Sequence, residues 1–599
     1  MTTFREKADL IWRIADLLRG DYKQSDYGKV ILPMTVIRRL DCVLEPTKQK
    51  VLDYYPKVES MKETARDLAL NRIAGFNFHN RSQFNFDKLI ADPDNVAVNL
   101  RNYINGFSNS AREIIEYFNF DDQIDRMDSP QTDILFRVVK SFQEIDLSKM
   151  ESMEMGYTFE ELIRKFSEQS NETAGEHFTP REVIRLMTNV LFIEDKEILT
   201  QAGIVKTLYD PACGTGGMLS VGEQYVKELN PQAELKVFGQ EINPESYAIC
   251  KSDMLIKGQN PGNIKFGNTF TVDGLENEKF DYMLSNPPFG VNWKKARKFI
   301  KAEYDNQGLS GRFGAGLPRI NDGSLLFLQH MISKMKSDGS RIAIVFNGSP
   351  LFTGAAEGGE SNIRRWIIEN DWLEAIIALP DQLFYNTGIS TYIWIVTNNK
   401  SAERKGKVQL INATGVKDEE LRKEGKLEFN RFWQKMDRSL GNKRKKIAEN
   451  GNETGIGFIT QLYGNFEENE FCKILPNEFF GYWRVVVEQP QKDENGKTVK
   501  SRGKPKPDTS LRDYENIPFL RKDKDGNLIP QTIEEYFDTE VKPHLPEAWI
   551  DEKKTKVGYE INFTKYFYEF KPLRPLAEIK ADILALEEKT LEMEKKVLE

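Results

Sequence analysis

The sequence predicts an α/β fold with a Rossmann-like, doubly wound core, a helical N-terminal domain and a helical C-terminal tail. Between about residues 205 and 398, short apolar runs alternate with amphipathic segments. This pattern is typical of a mostly parallel sheet covered by helices. The runs are KTLYDPA, LKVFGQEI, IKFGNTF, FDYMLSNPPF, SRIAIVFNG, LEAIIALP and STYIWIVTN. The last two lie close enough in the sequence for an antiparallel pair at the sheet edge.

The chain before this core has a helical hydrophobic pattern. Residues Leu10, Ile14, Leu17 and Leu18 fall on one helix face, and ILPMTVIRRLDCVLE repeats the 3.6-residue period. In the segment AGEHFTPREVIRLMTNVL, we expect Thr179 to cap a helix that begins at the following proline.

These patterns, with the changes in composition along the chain, predict four regions. A helical domain spans 1–147, the α/β core 148–400, a mixed charged region 401–572, and a helical tail 573–599. Within the third region, NKRKK and DENGKTVKSRGKPKPDTS are expected to form exposed loops.

The tail carries a heptad pattern in which apolar residues recur at alternating steps of three and four, interrupted by one threonine. The positions are Leu576, Ile579, Ile583, Leu586, Thr590, Met593 and Val597. The stripe predicts a helix that packs either on its own chain or on a helix of a partner.

Composition restricts the possible classes of protein. The 599 residues are too many for one core, and 39% hydrophobic with 29% charged residues is typical of a folded chain. Because the formal net charge is -8, a nucleic acid would have to be met by a local basic surface or by a partner chain. The four cysteines have no zinc-site or disulfide spacing, and no signal peptide or long apolar run is present. We therefore expect a cytoplasmic protein with no metal and no contact with a membrane.

A glycine-rich turn follows the first strand of the core. Asp210 ends the strand, and Gly214 to Gly217 open a helix whose free N–H groups can bind a carboxylate. The spacing is not GxGxxG, and Asp210 would repel a pyrophosphate but attract an ammonium group. S-adenosylmethionine, which has an ammonium and a carboxylate, fits this turn better than NAD.

The next two strands also end in polar side chains. Glu241, at the end of the second strand, can accept both hydroxyls of a ribose, or it is simply a solvated charge. After the third strand, Asn268 could hydrogen-bond the adenine edge of the cofactor.

The fourth strand ends in SNPPF. Asn286 presents an amide oxygen, and Pro287 presents a carbonyl oxygen on a backbone stiffened by Pro288. Two acceptors suit a planar NH2 group such as adenine N6, whose lone pair they would localise and direct at an electrophilic methyl group. Phe289 could stack on the base, which must be flipped out of a duplex. An ordinary Asn-Pro turn has the same sequence, but its place behind the glycine turn and Glu241 favours the site.

In this order, AGEHFTP, DPACGTGG, GQEIN and SNPPFG resemble the motifs of N6-adenine DNA methyltransferases. IADLLRGDYKQSDYGKVILPMTVIRRLD and EFFGYWRVVVEQP resemble more narrowly the methylation (modification) subunit of type I restriction-modification systems. The resemblance covers nearly the whole chain and implies an S-adenosylmethionine-dependent methyltransferase core. It also implies that two copies join one specificity subunit on double-stranded DNA, and that a separate restriction (motor-nuclease) subunit cuts.

The resemblance implies the roles of the site residues. The methionine end of the cofactor would lie under Gly175, Glu176, His177, Phe178, Thr179 and Pro180. Its amino-acid part would be held by Asp210, Pro211, Ala212, Cys213, Gly214, Thr215, Gly216 and Gly217. Its ribose and adenine would meet Glu241 and Asn268, the latter standing where many relatives have an aspartate. The target base would be bound by Asn286, Pro287, Pro288 and Phe289.

Several alternatives remain open at this point. Similar sites methylate a guanine amine in ribosomal RNA or a glutamine amide in a protein, since both are planar NH2 groups. A free-standing adenine methyltransferase whose region 400–570 reads DNA is also compatible. A non-catalytic subunit that keeps the fold as a scaffold is a further alternative, but the intact pair of acceptors argues against it. A lone histidine such as His177 is more often a packing residue than a catalyst, and NTGISTYIWIVT is either core strand or lining of the base pocket.

Overall fold

The computed structural model describes residues 4–129, 133–170, 179–385, 387–449, 451–568 and 575–598. The chain divides into two compact units, Met1–Ile561 and Asn562–Glu599. The first unit contains the helical N-terminal region and the sheet, and the second contains the C-terminal helix.

The N-terminal part of the first unit is helical, as predicted. Its helices are α1 (Phe4–Ala15), α2 (Gly28–Val58), α3 (Glu63–Ala74), α4 (Phe86–Ile90), α5 (Val96–Asn105), α6 (Asn109–Glu116), α7 (Phe120–Met127) and α8 (Ile134–Gln143). Their apolar faces form one core around α2, and this core also takes in Ala248, Ile249 and Leu255 from the α/β region. The helical region is therefore packed directly onto the α/β region.

Strands and helices alternate in the α/β region. They are α9 (Ser152–Ser170), α10 (Arg181–Phe192), α11 (Lys196–Leu199), β1 (Val205–Asp210), α12 (Gly217–Leu229), β2 (Glu234–Glu241), α13 (Pro244–Ile256), β3 (Ile264–Phe266), β4 (Tyr282–Ser285), α14 (Arg297–Gln307), α15 (Ser324–Ser333), β5 (Arg341–Phe346), α16 (Ser349–Phe352), α17 (Gly359–Glu369), β6 (Leu373–Ala378) and β7 (Tyr392–Thr397). All seven predicted strands are present. Every residue of β5 and of β6 is buried, as expected for strands covered by helices on both faces.

Beyond residue 400 the first unit continues with short strands and helices. They are β8 (Lys407–Asn412), α18 (Val416–Lys423), β9 (Gln434–Leu440), β10 (Lys443–Lys446), α19 (Gly455–Asn465), β11 (Cys472–Pro476), β12 (Gly481–Glu488), β13 (Lys500–Ser501), β14 (Lys504–Pro505), β15 (Asp513–Pro518), β16 (Leu520–Lys522), β17 (Leu528–Pro530), α20 (Ile533–Tyr536), β18 (Trp549–Ile550) and β19 (Lys556–Tyr559). A small antiparallel sheet forms around β12, which pairs with β15, β18 and β19.

The central sheet contains nine strands among the described residues, in the order β11-β8-β6-β7-β5-β4-β1-β2-β3. The strands β1 to β5 run parallel, and β7 runs antiparallel between β5 and β6. The expected antiparallel pair of β6 and β7 is present, but its position at the sheet edge is wrong, because β8 and β11 extend the sheet beyond β6. The strand order reverses beside β1, which places a crevice at the carboxyl ends of β1 and β4.

The second unit contains α21 (Phe563–Tyr566) and the long helix α22 (Leu576–Leu598), which confirms the predicted helical tail. The heptad residues Leu576, Ile579, Ile583, Leu586 and Met593 are exposed. Among the described residues, no helix has both the length and the apolar character that a membrane crossing requires.

Candidate active site

A hydrogen bond joins the carboxyl ends of β1 and β4. Ser285 Oγ donates to Asp210 Oδ1 at 2.9 Å, and the Ala212 N–H donates to the same oxygen at 2.9 Å. Burial raises the pKa of Asp210 to about 7, although these two hydrogen bonds lower it and the nearby Glu241 raises it further. The bond fixes the glycine turn and the SNPPF segment side by side.

The glycine turn has the backbone that its sequence predicts. Gly214 and Gly216 have φ angles of 54° and 88°, which L side chains rarely adopt. The Cys213 N–H donates to Gln240 O at 3.0 Å and ties the turn to β2. Helix α12 begins at Gly217, so the unpaired N–H groups of its first turn lie at the end of this loop.

We expect Gly216→Ala to destabilise the protein more than an ordinary glycine substitution. A Cβ at Gly216 would lie 2.8 Å from Cys250 Sγ, in addition to the strain of the left-handed backbone. Crowding of this kind typically costs about 1–3 kcal/mol. Gly203→Ala is the matched control, because Gly203 also has a positive φ of 70° but nothing within 4 Å of the new Cβ. Equal losses of unfolding free energy for the two variants in chemical denaturation would contradict this account.

Glu241 lies at the end of β2, as predicted, and both of its oxygens bind backbone N–H groups. Glu241 Oε2 accepts from Gly214 N at 2.8 Å, and Oε1 accepts from Ile242 N at 2.9 Å and Asn243 N at 2.7 Å. The carboxylate is therefore fixed against the glycine turn rather than solvated. The next side chain, Ile242, is 59% exposed.

The loop after β3 is braced from two sides. Thr269 Oγ1 donates to Pro211 O at 2.6 Å, which joins this loop to the one after β1. Gln240 Nε2 donates to Val272 O at 2.6 Å. The predicted adenine contact, Asn268, uses its side-chain oxygen locally to accept from Phe270 N at 2.9 Å. The amide NH2 group of Asn268 makes no hydrogen bond among the described residues and can donate to a ligand.

Asn286 directly follows β4, and its side chain is anchored by Thr179. Asn286 Nδ2 donates to Thr179 Oγ1 at 2.9 Å, and Asn286 Oδ1 is buried without a hydrogen-bond partner among the described residues. The expectation that Thr179 caps a helix is therefore wrong. The helix begins at Arg181, Pro180 occupies the N-cap position, and the threonine hydroxyl is engaged with Asn286 instead.

The rest of the SNPPF segment is only partly covered. Pro287 is buried, whereas Pro288 and Phe289 are half-buried. The Phe289 ring packs edge-on against Phe384, with 6.4 Å between the ring centroids. Phe384 belongs to the loop between β6 and β7, so this loop lies beside the Asn286 segment. Within NTGISTYIWIVT, Tyr392–Thr397 form the mostly buried strand β7, which agrees with the core-strand interpretation of that stretch.

The structure brings most of the predicted site residues to one crevice. All of these residues lie at or after the carboxyl ends of β1 to β4: Asp210 to Gly217, Glu241, Asn268 and Asn286 to Phe289. The predictions for Gly175, Glu176, His177 and Phe178 lie outside the described residues. No group of three or more His, Cys, Asp or Glu side chains suited to a metal occurs in the described part of the chain.

Glu160 is a residue of this crevice that the sequence reasoning missed. Its Oε1 lies 3.3 Å from the Cβ position of Gly217, at the start of α12. Burial raises its pKa to about 8, and its side chain lines a cavity with Arg181, Thr215 and Asp253. The available signal was an acidic residue between Phe159 and Leu162, on the buried face of α9.

Comparison with known protein families identifies the family to which this chain belongs. Residues 151–460, more than half of the chain, match the family model described as N-6 DNA Methylase. The chain belongs to the N-6 DNA methylase family. Residues 8–142 of this N-6 DNA methylase match a second model, the HsdM N-terminal domain. The family that the sequence motifs predicted is confirmed.

Curated relatives of this N-6 DNA methylase include two methylase subunits from Methanocaldococcus jannaschii. The type I restriction enzyme MjaIX methylase subunit is 25% identical over 68% of this chain and 72% of the relative. The MjaVII methylase subunit is 32% identical over 47% of this chain and 46% of the relative. The second alignment thus spans about half of that relative's length.

A solved structure shares the fold of this N-6 DNA methylase. It is a type I restriction-modification system methyltransferase subunit from Streptococcus thermophilus. The match has a TM-score of 0.59 and 23% identity, and it covers 80% of this chain and 97% of the other. The similarity confirms the predicted combination of a methyltransferase sheet and a helical N-terminal region.

Proposed function

We propose that this chain is the methylation subunit of a type I restriction-modification complex. It transfers a methyl group from S-adenosylmethionine to N6 of an adenine flipped out of double-stranded DNA. A specificity subunit supplies sequence recognition. The observation that carries this proposal concerns the side chain of Asn286. Its amide nitrogen donates a hydrogen bond to the Thr179 hydroxyl, while its amide oxygen is buried and has no hydrogen-bond partner among the described residues.

An unsatisfied buried carbonyl costs about 1–3 kcal/mol, so its retention beside a ligand crevice indicates a group that a ligand satisfies. The two N6 protons of an adenine are donors that fit Asn286 Oδ1 and the main-chain carbonyl of Pro287. Because SNPPF follows β4 and Ser285 is bonded to Asp210, these acceptors lie next to the glycine turn. The geometry thus supports transfer between a ligand on the turn and an amine at Asn286.

The residues at the crevice fit S-adenosylmethionine. Asp210 and the first N–H groups of α12 offer a carboxylate for its ammonium and donors for its carboxylate. Glu241 Oε2 accepts one hydrogen bond and keeps a lone pair for a ribose hydroxyl. The exposed side chain of Ile242 offers an apolar surface for the adenine ring. Thr179 and Pro180 directly precede α10 and adjoin Asn286, and we assign them to the methionine end.

When bound, S-adenosylmethionine supplies a methyl group activated by a positively charged sulfur. Asn286 Oδ1 and Pro287 O would accept the N6 protons, which moves the nitrogen lone pair out of conjugation with the ring. The chain needs no strong base, because the amine becomes acidic as the N–C bond forms, and positioning supplies most of the catalysis. Phe289 would stack on the flipped base and offset part of the cost of extruding it, with stacking worth about 1–3 kcal/mol.

The division of labour among subunits belongs to the same proposal. The curated relatives are named as methylase subunits of type I restriction enzymes. The net charge of -8 favours a chain that shares DNA contact with a partner. The exposed heptad face of α22 is suited to a helix of the specificity subunit, and the complete complex would hold a second methylation subunit and a restriction subunit.

The test is methyl transfer from labelled S-adenosylmethionine to DNA, with and without the proposed specificity subunit. We expect label on adenine N6 only when the specificity subunit is present. Label on RNA or on protein would refute the proposal. Transfer to DNA by the chain alone would favour a free-standing adenine methyltransferase.

We expect the affinity for S-adenosylmethionine to fall as the pH drops below about 7. Burial raises the pKa of Asp210 to about 7, so the carboxyl is charged above this pH and neutral below it. Binding of the ammonium requires the charged form, and affinity therefore decreases by up to about tenfold for each pH unit below the pKa. Isothermal titration between pH 5.5 and 8.5 measures this slope.

Two comparisons isolate the carboxyl group in this measurement. The variant Asp210→Asn should bind more weakly at pH 8 and lose the pH dependence. Methylthioadenosine, which lacks the amino-acid part, should bind the unaltered protein with a flat profile. A pH slope that survives in Asp210→Asn would assign the titration to another group.

A further inference from the structure

The segment from Gln434 to Lys446 is a basic β-hairpin in an acidic protein. Its strands β9 and β10 pair antiparallel, with an irregular register between Lys443 and Lys445. The segment QKMDRSLGNKRKK contains six basic residues and one acidic residue. The prediction of an exposed loop at NKRKK is wrong, because Lys443–Lys446 form the strand β10. The proposed transfer site does not use the charges of this segment.

The hairpin is fastened to the loop that holds Phe384. The Asn442 N–H donates to Tyr385 O at 3.0 Å, and the Arg444 N–H donates to Gln382 O at 2.8 Å. Lys443 Nζ donates to Leu383 O at 2.9 Å. The Phe384 ring in turn packs against the Phe289 ring, with 6.4 Å between the centroids. The loop that holds the hairpin therefore contacts the SNPPF segment through this pair of rings.

A second attachment joins the hairpin to the other side of the same pocket. The buried Lys443 forms an ion pair with Glu182, in the first turn of α10. That helix begins two residues after Thr179, whose hydroxyl accepts a hydrogen bond from Asn286. Lys443 therefore has a structural role, and it fixes the hairpin relative to both Asn286 and Phe289.

The remaining charged side chains of the hairpin are suited to binding a polyanion. The side chains of Lys435, Arg438, Arg444 and Lys446 are exposed and form no ion pair among the described residues. In contrast, Lys445 is bound to Asp381. Four unpaired cations on one hairpin would repel one another, and an array of phosphates at regular spacing relieves this repulsion.

We propose that the β9–β10 hairpin binds the DNA backbone beside the flipped adenine. This inference rests on the proposed transfer to DNA. Each strand of a duplex carries one phosphate for about every 3.4 Å of helix axis, so a duplex with one base in the Asn286 pocket carries several phosphates along the pocket rim. The hairpin supplies sequence-independent contacts there, and base recognition remains with the specificity subunit.

The test compares two fourfold variants of the full complex. The first replaces Lys435, Arg438, Arg444 and Lys446 by glutamine. The matched control replaces Lys497, Lys500, Arg502 and Lys504, four exposed cations around the β13–β14 hairpin, which adjoins the small sheet. Both variants change the net charge by the same amount, so a difference in DNA affinity between them shows that the position of the cations matters.

DNA affinity is measured by fluorescence anisotropy across a range of salt concentrations. Each phosphate contact contributes about 0.9 to the slope of log K against log salt, so loss of four contacts should reduce the slope by about 3–4. We expect the hairpin variant to bind at least about tenfold more weakly at 0.1 M salt, and the control variant to match the unaltered complex. An unchanged slope in the hairpin variant overturns the inference.

Other outcomes are also decisive. If the hairpin variant no longer assembles with the specificity subunit, the hairpin is a protein interface and the inference fails. If it loses S-adenosylmethionine binding, the single variants Arg438→Gln and Lys446→Gln decide, with expected slope changes of about 0.9 each. Absence of methyl transfer in the unaltered complex refutes the proposed function, whereas normal transfer with an unaffected variant refutes the hairpin inference alone.

Discussion

We expect Asn286→Ala to slow methyl transfer by about 10²–10³-fold while leaving the affinity for S-adenosylmethionine unchanged. The substitution removes an acceptor that is buried, unpaired and held in place by Thr179. Loss of one preorganised hydrogen-bonding group at a reacting centre typically costs about 10²–10³ in kcat. Single-turnover transfer and isothermal titration with S-adenosylmethionine measure the two quantities separately.

Asn398→Ala is a matched control for this experiment. Asn398 is also half-buried, accepts from Ser340 N at 2.8 Å and donates to Lys336 O at 2.7 Å. It directly follows β7, which runs antiparallel to β5. It therefore lies near the amino-terminal ends of the parallel strands, opposite the crevice at their carboxyl ends. The control should lose some stability and keep its transfer rate. Transfer by Asn286→Ala within tenfold of the unaltered protein would remove the basis of the proposed mechanism.

The largest effect on stability is expected from Glu374→Gln. Arg341 Nη2 donates to Glu374 Oε1 at 2.6 Å, and the two side chains are 6% and 0% exposed. Burial raises the pKa of Glu374, but Arg341 and Tyr463 outweigh it and hold the pKa below its usual value. The pair joins the starts of β5 and β6, and Tyr463 connects it to α19. Removal of one charge leaves the other buried and uncompensated, at a cost of about 3–5 kcal/mol.

Chemical denaturation of a double-mutant cycle checks this expectation. The double variant Arg341→Met, Glu374→Leu should recover much of the loss, because it leaves no unpaired charge in the core. The stability that Glu374 contributes should also disappear as the pH falls below about 4.5, since its pKa is lowered in the folded state. A loss below about 1 kcal/mol for Glu374→Gln would show that the pair is solvated.

The strands and their chemically important ends could be predicted from the sequence. Short apolar runs correctly predicted seven strands of the sheet. Three of these runs place Asp210, Glu241 and Asn286 at or directly after the strand end. In a parallel sheet such ends meet at one edge. The positive φ angles at Gly214 and Gly216 were predictable for the same local reason, since only glycine adopts them without strain.

The sequence by itself thus determined the type of each core element and the side chains at its end, because both depend on neighbouring residues. Only the tertiary structure decided that β7 lies between β5 and β6, and that strands from beyond residue 400 complete the sheet. It also turned Thr179 from a helix cap into the anchor of Asn286, 107 residues away. Contacts over such distances depend on which surfaces pack together in the whole fold, and no local pattern of residues encodes them.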